Sequence, residues 1–150
     1  MKSALLIVAI ALPTIATVII QTITPTLAQA NSSEGFILPS KNIYCRIAEF
    51  PNKPANNYLR CEIASKLKPM PVQPKSCNLD WGNGLVLPKT KKAEVLCAGD
   101  IIYSPSSPTL NYGKTWKKDG FTCTSAATGL TCTNRQNKGF FLNRQEWRSL

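Results

Sequence analysis

From residue 31 onward the chain alternates apolar and polar positions in short runs, each closed by Gly, Pro, Asn or Ser. Period-two alternation over such runs is the mark of a half-buried strand. The pattern predicts strands over residues 35–38, 42–48, 57–64, 84–87, 93–97, 101–103, 120–125, 129–134 and 139–142. No segment sustains a 3.6-residue apolar period, and eleven prolines oppose long helices. One helical signal stands near the end: Asn143 is followed three positions later by Glu146, as in a capping box, which predicts a final helical turn. The expected fold class is mainly β, a small single-domain antiparallel assembly of hairpins and sheet.

The first thirty residues follow a different pattern. Lys2 gives a short positive start, and residues 4–20 are apolar except for Pro13, Thr14 and Thr17. Pro25 then precedes Ala28-Gln29-Ala30, the small-x-small site that signal peptidase accepts. The chain therefore divides into a signal peptide, 1–30, and one domain, 31–150. An uncleaved membrane anchor is the competing reading, because the apolar run is almost long enough to span a bilayer. After cleavage no spanning segment remains, and the expected location is secreted, periplasmic or on the cell surface.

All six cysteines (Cys45, Cys61, Cys77, Cys97, Cys123 and Cys132) lie in the exported part. An even number in a small exported chain reads as a disulfide framework. There is no C-x-x-C pair and no histidine, so a Cys/His metal site is excluded and no cofactor is implied. Register arguments select the partners. If Cys123 faces Cys132 in a hairpin, Thr122 faces Thr133 and Thr124 faces Thr131 on the solvent side. Ser125 then faces Leu130, with a four-residue loop over residues 126–129. β-branched pairs suit such a ladder, and the cysteines point inward. If Cys45 faces Cys61, Ile43 faces Ile63 and Ile47 faces Leu59 in an apolar stripe, while Arg46 falls opposite Arg60 with Glu62 diagonal to Arg46. Cys77 and Cys97 pair by elimination. Each bridge closes a modest loop and contributes about 3 kcal/mol. The two flanking hairpins also resemble each other.

Along the exported part, a series of short patterns runs in order. They are Phe36-x-x-Pro39-Ser40-x-Asn42-Ile43-x-Cys45, Leu59-Arg60-Cys61-Glu62-Ile63, Cys77-x-x-Asp80-Trp81-Gly82 and Cys97-x-Gly99-Asp100, then Leu110-x-Tyr112-Gly113. The series closes with Gly120-Phe121-x-Cys123-x-Ser125-x-x-x-Gly129-Leu130-x-Cys132-x-Asn134 and Gly139-Phe140-x-Leu142-x-Arg144. In these the chain resembles a family of small exported bacterial domains of unknown function. Lys138 departs from a frequent histidine and Leu67 from a usual tryptophan. The resemblance implies a fold unit and hands over no activity, cofactor or catalytic residue.

Charge and side-chain chemistry narrow the function without fixing it. The net charge of +10 becomes +9 once Lys2 is removed, which favours acidic partners. The locally dense stretches are residues 89–92 and 114–118. In the latter, Lys114, Lys117 and Lys118 surround Trp116, which suggests an aromatic platform beside cations for a polyanion. The competing reading is a plain strand pair over residues 110–117 with its aromatics turned inward. Arg46 and Arg60 form a candidate anion contact. Asp80 and Asp100 flank the Cys77–Cys97 bridge and offer a paired-carboxylate hydrolase of the glycosidase type, although aspartate beside glycine also caps tight turns. Ser104-Pro105-Ser106-Ser107-Pro108 is the one loop suited to a disulfide-braced inhibitor. No histidine is present to serve serine as a base, and paired cysteines leave no thiolate. The expectation is a non-catalytic extracytoplasmic binding module for an anionic cell-envelope polymer or an exported protein, without specific nucleic-acid recognition. The hydrolase and the inhibitor stand as alternatives.

Overall fold

The structure, a computed structural model, describes residues 34–150. The leader, its cleavage point and the anchor alternative lie outside the described residues. Ten strands form among those described: β1 (Gly35–Ile37), β2 (Ile43–Ala48), β3 (Tyr58–Ile63), β4 (Trp81–Pro88), β5 (Glu94–Cys97), β6 (Thr115–Lys118), β7 (Phe121–Ala126), β8 (Gly129–Thr133), β9 (Gly139–Leu142) and β10 (Trp147–Ser149). They build two five-stranded antiparallel meanders, β1-β2-β3-β4-β5 and β10-β9-β8-β7-β6. The inner faces of both sheets feed one buried cluster. The mainly β fold with three disulfides is the one expected.

The centre of that cluster follows from register. In the first sheet Phe36, Cys45, Cys61 and Leu85 form one row across four strands. In the second, Trp116, Cys123, Cys132 and Phe140 form the matching row. Each row closes on a disulfide, Cys45–Cys61 and Cys123–Cys132, with Cα atoms 4.1 Å apart in both. The rows stack: the sulfurs of Cys45, Cys61 and Cys132 all lie within 4.8 Å of one another, and the rings of Phe36 and Trp116 meet at 5.2 Å. Leu59, Leu85, Leu87, Leu130, Phe140 and Leu142 are fully buried around them, each contributing about 1.5–3 kcal/mol.

Glycine recurs at one place in this pattern. Gly35, Gly84 and Gly139 each sit opposite the residue that follows a core cysteine. A Cβ at any of them would land on the carbonyl oxygen of that cysteine, Cys45, Cys61 or Cys132. The resemblance between the hairpins thus extends to whole sheets, with cysteines on the second and third strands and glycine on the fourth.

The predicted registers of both cysteine hairpins hold residue for residue, and the third bridge is Cys77–Cys97. Four local expectations are corrected. The loop after β7 has two residues, not four, because Ala126 pairs with Gly129. Residues 101–103 form no strand; they belong to a connection that crosses the outer face of the first sheet from β5 toward β1, where Leu110 N–H donates to Ile37 O. β6 and β10 are strands outside the predicted set. Finally, Asn143 closes no helix. Its Oδ1 accepts from the N–H groups of Gln145 and Glu146, both at 2.8 Å, while its own N–H donates to Glu146 O. The capping chemistry is real but shapes a hairpin turn between β9 and β10.

The crossing connection is clamped by Arg60. Buried on the outer face, it donates Nη1 to Asp100 Oδ1 (2.9 Å) and Nη2 to Asp100 O (2.6 Å), and meets Glu62 Oε1 at 2.5 Å. Tyr103 packs edge-on against Tyr44 in the same layer. Burial, then the charge and hydrogen bond of Glu62, push the Tyr44 hydroxyl up to about 12.

Only one bridge reaches solvent. Cys97 is exposed on edge strand β5, whereas the four core cysteines are buried. Mild reduction followed by alkylation and mass mapping should label Cys77 and Cys97 while Cys45, Cys61, Cys123 and Cys132 stay protected until unfolding. Simultaneous labelling of all six would contradict this core.

Candidate functional site

The meander topology sends the turns after β2, β4, β6 and β8 to one end of the molecule. The β6–β7 turn is Asp119-Gly120, with φ of 50° and 87°, the two positive values that an Asp-Gly hairpin turn supplies. Asp119 Oδ1 accepts from Lys89 Nζ (2.6 Å) and its Oδ2 from Asn57 Nδ2 (2.8 Å), joining three turns at one carboxylate. Asn134, buried, uses its amide fully. Its Nδ2 donates to Pro88 O and Lys91 O, and its Oδ1 accepts from the N–H groups of Gln136 and Lys138.

These ties gather charge. Lys89, Lys91 and Lys92 come from the β4–β5 turn, Lys117 and Lys118 from the end of β6, and Arg135 and Lys138 from the β8–β9 loop. Against these seven stand Asp119 and Glu94, while Lys53 and Glu49 of the β2–β3 loop offset each other. A cleft of about 440 Å³ opens here, lined by Lys117, Lys118, Asp119, Thr122, Thr133 and Arg135 among others. Arg135 lies across Gly120, so closely that a Cβ on that glycine would collide with its side chain. Lys138 donates Nζ to Thr90 O at 3.1 Å.

The residues singled out from sequence meet different fates. Trp116 is 2% exposed and packs on Phe36, so its ring offers no stacking surface. Its strand pairs with β7 and not with residues 110–113. Lys114 sits at the opposite end of β6 from Lys118, and the supposed cluster is split along the strand. Lys117, exposed, and Lys118, half-buried, line the basic cleft. Arg46 and Arg60 do stand opposite each other, but Arg46 pairs with Glu34 at 3.0 Å and Arg60 with Glu62 and Asp100. The Arg60 guanidinium is buried and taken up by these partners, whereas Arg46 is exposed in a single surface pair. Leu67 is buried in the core.

The Asp80 segment does reach that of Asp100, since Ala98 N–H donates to Asp80 O. The groove lined by Asp100 nevertheless excludes Asp80. The hydrogen bond and charge of Arg60 hold the Asp100 carboxyl below the usual range. A glycosidase pairs one carboxyl that keeps its proton with one that stays ionised, and the arginine-bound Asp100 suits only the ionised role. Residues 104–108 form a turn, Ser107 N–H to Ser104 O, within the crossing connection.

Arg135, Lys138 and the Asp119-Gly120 turn were not among the residues picked from sequence. The signal was present: the Thr122–Thr133 register places Gly120 level with Arg135.

Asp119 also sets a pH response. Burial would raise its carboxyl, but hydrogen bonds from Lys89 and Asn57, with the charges of Lys89 and Arg135, outweigh that and hold it low. A depressed carboxyl gives stability that is full above the unfolded value and vanishes as pH falls through the folded one. Asp119→Asn should therefore cost about 1–2 kcal/mol near neutrality. The gap to the parent in denaturant midpoint should close below about pH 4. A gap unchanged down to acid pH would mean that the carboxylate is not the tie.

Comparison with curated proteins and with solved structures finds no match. A family of unknown function (DUF6636) matches residues 5–149. That span takes in both sheets, all three disulfides and the basic end, and the chain belongs to this family of unknown function.

Proposed function

We propose that the protein is a non-catalytic extracytoplasmic binding module whose basic end holds an anionic polymer of the cell envelope. One observation carries this reading: four turns from two sheets are locked together by Asp119 and Asn134, and three of them deliver seven cationic side chains to one end. Rigid turns on a braced scaffold present charge at little entropic cost on binding. Lys91, Lys92 and Lys117 have no side-chain partner among the described residues, so their charge is available to a ligand. Three disulfides support a location outside the reducing cytoplasm.

A flexible polyanion bound in this way is held by charge more than by shape, so affinity should fall steeply with salt. Titration with polygalacturonate or polyphosphate, against neutral dextran as control, tests it. The variant Lys91→Ala/Lys92→Ala/Lys117→Ala should lose about 1 kcal/mol for each lysine, roughly a hundredfold in all, with a shallower salt dependence. Equal binding of dextran, or a triple variant that binds like the parent, would overturn the reading.

A further inference from the structure

The opposite end of the molecule carries a separate cleft of about 280 Å³. It lies where the β1–β2 turn, the Tyr112 loop, the β7–β8 turn and the β9–β10 turn converge. Main-chain and asparagine side-chain hydrogen bonds fix its frame. Asn143 Nδ2 donates to Thr128 O at 3.0 Å, clipping the last two turns together. Gly113 N–H donates to Ser125 O (2.7 Å) and Ser125 N–H to Lys114 O (3.0 Å), holding the Tyr112 loop against β7. On the far wall Asn42 exchanges hydrogen bonds with Ser65, 3.2 Å each.

The groups left open on this frame are an aromatic ring, two neutral polar groups and a guanidinium. Tyr112 is 44% exposed, and Arg144 stands exposed on the rim. Neither of these side chains, nor the hydroxyl of Thr128 or the amide of Gln145, has a partner among the described residues. No carboxylate lines the cleft. The adjacent Glu146 faces Arg148 at 3.7 Å. An aromatic face, two neutral hydrogen-bonding groups and one guanidinium match a ring that is apolar on its face, hydroxylated at its edge and singly anionic. The volume lies at the small end for ligand sites, enough for about one such ring.

We infer that this cleft binds a pyranose carrying one carboxylate, a hexuronate unit, with its ring on Tyr112 and its carboxylate on the Arg144 guanidinium. The site is independent of the basic end: it sits at the other pole and uses none of those seven cations. The same chemistry is met in a free sugar acid and in a terminal unit of a uronate polymer.

Amide-resolved NMR titration with glucuronate, galacturonate, glucose and acetate tests the assignment. The expected result is saturable, low-millimolar binding of a uronate, with shifts confined to Tyr112, Thr128 and Arg144 and their neighbours. Glucose, which lacks the charged contact to Arg144, and acetate, which lacks the ring that lies on Tyr112, should each bind at least about tenfold more weakly. Arg144→Gln should reduce the uronate to the level of glucose, and Tyr112→Ala should weaken both sugars. Lys91→Ala/Lys92→Ala/Lys117→Ala should leave this site unchanged even if it abolishes polymer binding. A uronate trimer that binds as well as the monomer points to a chain end, and one that fails to bind points to the free acid; both support the site. Shifts that map to Lys117 and Arg135, acetate binding as tightly as the uronate, or full affinity in Arg144→Gln would overturn it.

Discussion

Two disulfides stacked between two sheets set everything else in this molecule. A cross-strand bridge fixes the register of one hairpin, and register fixes which face each side chain takes. With the sulfurs of Cys45, Cys61 and Cys132 gathered at one point, the two hairpins are also fixed against each other. The remaining core residues complete rows that the cysteines begin. The glycines opposite Arg46, Glu62 and Thr133 let the neighbouring strands β1, β4 and β9 approach the cysteine carbonyls. A small β domain has a limited core, and three loop closures supply a share of its stability that packing alone would have to replace.

Rigidity at the centre makes the two ends the places where chemistry can vary. At one end Asp119 and Asn134 bind four turns into a single platform that carries cations. At the other, Asn143 and Asn42 frame a small cleft with a free ring and a free guanidinium. On the outer face of the first sheet, Arg60 is committed to structure. It neutralises Glu62 and anchors the connection through Asp100. A buried arginine stripped of these partners would leave uncompensated charge at a cost of about 3–5 kcal/mol, which accounts for its being unavailable to ligand.

How much of this was legible in the sequence depended on whether the deciding contact was local. The cysteine hairpins were readable because period-two alternation tests a register directly. Moving Cys123 one place would have put threonines in the core. Trp116 was not readable from its lysine neighbours. Its direction is set by pairing with Cys123, which requires the Asp119-Gly120 turn to be recognised first. The relief of Arg60 came from Asp100, forty residues away, and that of Arg46 from Glu34, neither of which a two-strand register can reveal. Asn143 and Glu146 showed the correct local bonds but not their setting, since the same cap closes a helix or a tight hairpin. The basic end and the Tyr112 cleft depend on turns from separate sheets converging, and no single stretch of sequence encodes that.

The most direct measurement of the central claim is native-state hydrogen exchange on the intact protein. If the stacked bridges are the keystone, the slowest amides are those of β2, β3, β7 and β8 beside Cys45, Cys61, Cys123 and Cys132. They should exchange together, only through global unfolding. Protection greatest elsewhere, or two sheets that open with separate free energies, would contradict it.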